Sequence, residues 1–93
     1  MLERALEIAE KNYGREHPYV AGCVFNLADV QTDLGDFSAA RSLYRRCLAI
    51  AEKSMGREHP QIALPLSRLG YLEVEMGNYA AAESLQMRAL AIR

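Results

Sequence analysis

The chain has 93 residues, enough for one compact unit and too few for two independent domains. Its apolar fraction of 51% supports a core, and its 25% of charged residues is ordinary for a globular chain. A formal net charge of −1 excludes a basic face for nucleic acid or anionic lipid, and no run of about 18 apolar residues offers a membrane span.

Taken in chain order, apolar spacing and helix-end residues predict five helices. The first covers 2–13 and closes on Gly14. The second starts at Pro18, whose missing N–H costs nothing in a first turn, and runs to 34 with apolar residues at 20, 23, 24, 27, 30 and 34. Gly35 ends it. Asp36 is a good N-cap for a third helix over 37–55, with Phe37, Ala40, Tyr44, Cys47, Leu48 and Ala51 on one face and Gly56 at its end. The fourth is expected over 61–76 and the fifth over 79–92, with Gly77 between them. Pro65 would lie a turn and a half inside a helix begun at Pro60, where it crowds the carbonyl of Gln61 at a cost of about 3 kcal/mol. A late start, a kink or a tight first turn between 60 and 65 is therefore expected. No segment alternates with a strand period, so the fold class is all-α.

The helices belong to a repeat. Leu6-Glu7-Ile8-Ala9-Glu10-Lys11 through Gly14-Arg15-Glu16-His17-Pro18 returns 42 residues later as Leu48-Ala49-Ile50-Ala51-Glu52-Lys53 through Gly56-Arg57-Glu58-His59-Pro60. At that offset 22 of 51 pairs are identical, far beyond chance, so each period is one structural unit. Residues 1–17 then form the second helix of a preceding unit with its connector. Residues 18–59 form a full repeat, and 60–93 a repeat lacking its end. Units of this kind bury their apolar faces only by stacking. Arg93 is expected to fall within a continuing helix, as in a piece of a longer array.

On these residues the whole chain resembles the 42-residue class of tetratricopeptide repeats found in kinesin light chains. The marks are the Gly-x-Glu-His-Pro connectors at 14–18 and 56–60 and the turns Gly35-Asp36-Phe37 and Gly77-Asn78-Tyr79. Small residues Ala28, Gly70, Ala40 and Ala82, where paired helices approach closely, complete the set. The resemblance implies antiparallel helix-turn-helix repeats stacked as an α-solenoid. Departures are Cys47 in place of Ala, Gln86 in place of an aromatic, and Gln31 and Glu73 in place of Tyr, from which a last helix that packs loosely or meets a missing neighbour is expected.

Candidate chemistry is sparse. His17 and His59 occupy equivalent connectors one repeat apart, so they organise helix starts and do not converge on a metal or nucleophile. Cys23 and Cys47 lack CxxC spacing and read as reduced, buried small hydrophobes. The carboxylates form no pair in an identifiable apolar pocket. No phosphate-cradling glycine loop and no metal-ligand spacing occurs. The expectation is a chain without enzymatic activity, cofactor or metal. The acid and base in Met1-Leu2-Glu3-Arg4, where a secretory leader needs a basic then apolar stretch, point to the cytoplasm.

The resemblance implies a concave groove lined by the first helix of each pair. It assigns Phe25, Asn26, Asp29 and Asp33 to that groove in one repeat and Ser67, Arg68, Tyr71 and Glu75 in the next. Gly22, Thr32, Leu64 and Val74 lie beside them. Asn26 matches the family's groove asparagine, whose amide both donates to and accepts from a peptide backbone. Gly22 and Leu64 stand where carboxylate-clamping members carry Lys, which leaves that clamp partial. Asp29, Asp33 and Glu75 surround Arg68 with acid. They disfavour the acidic cargo peptides that some kinesin light chains bind and favour a segment with basic and apolar residues. Two functions follow. One is a module binding a peptide or partner protein within a larger scaffold or adaptor. The other is a structural spacer or self-association segment with no ligand of its own. Weak homo-oligomers through the end helices are also expected, with Leu85, Ala89 and Ile92 on the exposed side of the last.

Overall fold

The computed structural model describes residues 2–56 and 59–92, apart from the side chains of Leu2 and Glu3. Arg57 and Glu58 of the second connector, and Arg93, lie outside the described residues. Five helices follow in order: α1 (Leu2–Tyr13), α2 (Pro18–Asp33), α3 (Phe37–Met55), α4 (Ala63–Glu75) and α5 (Tyr79–Ile92). No strand occurs among the described residues. The fold is an all-α repeat stack in which α2 pairs with α3 and α4 with α5, while α1 lies on α2 and α3 on α4.

Local chemistry sets the ends. Gly35 and Gly77 both take φ of +83°, which L side chains resist, and each closes a Schellman turn. Gly35 N–H donates to Thr32 O at 3.0 Å and Asp36 N–H to Gln31 O at 2.9 Å. Gly77 and Asn78 repeat the pattern on Val74 O and Glu73 O. Asp36 Oδ1 then accepts from Ala39 N–H at 3.2 Å and starts α3. At the connectors, His17 Nδ1 accepts from Tyr19 N–H at 3.0 Å and His59 Nδ1 from Gln61 N–H at 3.1 Å. Both histidines are N-caps.

Pro65 acts as its position predicts. A 3-10 turn over Pro60–Ile62 precedes α4, which begins only at Ala63. Pro65 therefore sits in the first turn of the α-helix, where its N–H would have no intrahelical partner.

Two core clusters carry the stack. Leu6, Ala9, Val20, Ala21, Val24, Leu27, Cys47 and Ile50 join α1 to the first full pair. Ala28, Ala40, Tyr44, Leu48, Ala51, Ile62, Ala63, Leu66, Leu69, Leu72 and Ala89 join that pair to the next. Phe25 and Leu43 pack against both clusters and tie them together. Cys47 is buried and Cys23 half-buried, and neither forms a disulfide. The small residues serve close approach. A Cβ added to Gly70 would stand 2.6 Å from Gln86 Nε2.

Two expectations need correction. The last helix is not loosely packed at Gln86, because its Nε2 donates to Ser67 O at 3.3 Å across the α4–α5 contact. Ala89 is buried, and Leu85 and Ile92 pack against the core, since the 85–89–92 stripe faces inward. The exposed large apolar residues of α5 are Tyr79, Met87 and Leu90 instead. One carboxylate lies in the core. Glu73 is buried, with Oε1 2.8 Å from Arg41 Nε on α3.

Candidate functional site

The expected groove residues lie on α2 and α4. Phe25, half-buried, is anchored on the core, with its ring edge-on to Tyr44 at 5.5 Å between centroids. Tyr44 in turn comes from α3 and donates its hydroxyl to Asp29 Oδ1. Arg68, from α4, sets its guanidinium 5.7 Å from the centre of the Phe25 ring and 4.0 Å from Asp29 Oδ1. These four side chains form one bridge between successive first helices. The family resemblance assigns Phe25, Asp29 and Arg68 to one groove, whereas Tyr44 comes from the outer helix and was read only as core.

The bridge separates two concavities. On one side lies a cavity of about 540 Å³. Pro18, Gly22, Phe25 and Asn26 of α2 line it against Gln61, Leu64 and Pro65, with Cys47 and Met55 at its α3 wall. Nothing stands within 4 Å of where a Gly22 Cβ would be, so the glycine widens this opening. Asn26 is exposed at its edge, and its amide holds no hydrogen bond among the described residues. On the other side lies a cavity of about 420 Å³ lined by Thr32, Asp33, Tyr44, Ser67, Arg68 and Tyr71. Tyr71 is half exposed there. Glu75, about one turn beyond Tyr71, is exposed and lines neither cavity. Seven of the eight expected residues thus border the bridge or its two hollows.

Electrostatics distinguish the two sides. The first hollow is walled mainly by apolar atoms, and burial, aided by the charge of Asp29, pushes the Cys47 thiol up to about 11. This thiol stays protonated and unreactive at neutral pH. Burial and the bond to the Asp29 carboxylate push the Tyr44 hydroxyl up to about 12, so it remains a donor that fixes Asp29. Asp33 adds a second negative charge beside Arg68. The second hollow therefore joins acid with aromatic surface. No three His, Cys, Asp or Glu side chains come together as a metal-holding group among the described residues. No described helix is long and apolar enough to cross a membrane.

Comparison with known proteins follows the same lines. The tetratricopeptide repeat profile matches residues 1–53 and 21–93, which together span the chain. Among solved structures, the crystal structure of BtubC (BKLC) from P. vanneervenii superposes with a TM-score of 0.92 at 30% sequence identity. The match covers 99% of this chain and 36% of that one, so the chain spans about a third of that protein's length. No curated protein matches.

Proposed function

Because the chain belongs to the tetratricopeptide repeat family, in its kinesin-light-chain-like class, we propose that its α2–α4 groove binds an extended segment of a partner protein. The family is one of helical interaction scaffolds, not of catalysts. The observation that carries the proposal is Asn26. Its exposed amide, without a protein partner among the described residues, stands beside an apolar hollow and next to the aromatic bridge. An amide so placed pairs with both N–H and C=O of a passing backbone. Leu64, Pro65 and Phe25 receive an apolar side chain, and Asp33 with Tyr71 favours a basic one. Partner segments rich in acid are disfavoured because Arg68 is already engaged with Asp29 and Phe25.

The test is selection of binding peptides from a displayed random library on the intact chain, followed by affinity measurements. Asn26→Ala leaves backbone groups of the peptide unpaired and weakens binding by about 1–3 kcal/mol. Tyr71→Ala weakens it as well, and helicity stays unchanged in both. Affinity falls as salt rises. Selected peptides that bind both variants like the wild type remove the groove from the account. The chain is then a spacer within a longer array.

A further inference from the structure

The connector after α1 gathers three rings. Tyr13 closes α1, His17 caps α2, and Tyr19 lies in the first turn of α2. The Tyr13 ring centre stands 4.8 Å from that of His17 and 5.2 Å from that of Tyr19. The cluster is not core, because Tyr13 is 53% exposed, Tyr19 is 60% exposed and His17 is open as well. Tyr13 and His17 line an open hollow of about 710 Å³, with Arg15, Glu16 and Pro18 completing its wall. The repeat does not require these rings. One period later the same positions hold Met55, His59 and Gln61, so only the capping histidine is shared.

Hydrogen-bonding capacity on this surface is one-sided. His17 Nδ1 accepts from Tyr19 N–H at 3.0 Å, which leaves the proton of the neutral ring on Nε2 as a donor. The Tyr13 and Tyr19 hydroxyls hold no bond among the described residues. The Arg15 side chain is 77% exposed and brings further N–H groups. The nearby acceptors are engaged: Glu10 meets Arg46 and Arg15, and Glu16 meets Lys53 at 2.7 Å. The complement to such a surface has carbonyls to accept, no N–H to leave unpaired, and flat apolar faces for the rings. Proline meets all three conditions, and a run of prolines is already extended before it binds. An acidic segment would use Arg15 alone and leave the rings uncovered. We propose that the Tyr13–His17–Tyr19 platform binds a proline-rich segment of a partner protein. Its prolyl rings pack on the two tyrosines, and its carbonyls accept from their hydroxyls and from His17 Nε2–H.

The platform is independent of the groove amide and is tested with acetylated, amidated decaproline on the intact 93-residue chain. Amide resonances are expected to shift at Tyr13, Gly14 and Tyr19. Tyr19→Ala weakens binding about tenfold or more, with helicity unchanged. Tyr19→Phe keeps the ring, loses one donor and weakens binding about two- to tenfold. Tyr79→Ala removes a comparably exposed tyrosine from α5, and Asn26→Ala removes the groove amide; neither changes the affinity for decaproline. A glycine–serine peptide of the same length, flexible and rich in N–H, does not bind. Absent shifts at Tyr13 and Tyr19, or equal affinity in Tyr19→Ala, overturns the proposal. So does a loss in Asn26→Ala, which would move the peptide into the groove. An aspartate peptide of equal length that binds more tightly than decaproline overturns it too, since Arg15 would then set the specificity.

Discussion

Each full helix pair begins at a histidine whose Nδ1 is held by the backbone N–H two residues on. Loss of such a cap exposes a helix-start donor and costs about 1 kcal/mol. His17→Ala and His59→Ala are each expected to lower stability by about that amount in urea melts. The sites are 42 residues apart with no shared partner, so the double variant sums the two. Tyr44 and Cys47 supply the residue-scale pH dependence. Burial first, and Asp29 second, raise the thiol from 9.0 to about 11 and the phenol from 10.0 to about 12. Both groups hold their protons more tightly in the folded chain than in the unfolded one. Their contribution is complete below about pH 9 and is lost as pH rises through the folded values. Urea midpoints are expected to fall between pH 9 and 12, and the combined Tyr44→Phe and Cys47→Ala variant flattens that fall. A wild-type profile that is level to pH 12 contradicts the assignment.

At the scale of the helix, Cys23 and Pro65 offer a controlled comparison. They are equivalent in the repeat, yet α2 carries Cys23 well inside a helix begun at Pro18, and α4 carries Pro65 three residues into one begun at Ala63. Pro65→Ala is expected to change stability by less than about 1 kcal/mol, because no hydrogen bond is regained at that depth. Cys23→Pro costs about 3 kcal/mol unless α2 also shortens, which loss of amide protection at Tyr19–Gly22 would reveal. Helix bounds were legible in the sequence because caps, glycines and prolines act within a few residues. Glu73 was not, because its burial depends on Arg41 from the neighbouring pair, 32 positions away. The ion pairs of Glu10 with Arg46 and of Glu52 with Arg88 were likewise contained in the period. They become visible only when the stack reveals which residues 36 apart face each other. In the groove, Phe25, Asp29 and Arg68 followed from the family resemblance, whereas Tyr44 required knowing that an outer helix reaches through to the inner one.

For the whole molecule, equivalent leucines report which face of the stack is covered. Leu6 and Leu48 are 8% and 9% exposed, each roofed by the following pair, while Leu90 at the same register is 67% exposed. Met87 and Tyr79 are open on the same helix. Removing a leucine of this size from water is worth about 1.5–3 kcal/mol, and a few such residues give a weak contact and no more. Self-association of the 93-residue chain is therefore expected at high concentration, through α5. A face of this kind meeting itself closes on a two-fold axis, so association stops at a dimer. Sedimentation at rising concentration should show that dimer in the wild type. Leu90→Glu should abolish it by placing two like charges on the contact. A dimer that survives Leu90→Glu would move the interface off α5, and a strict monomer at millimolar concentration would remove it altogether.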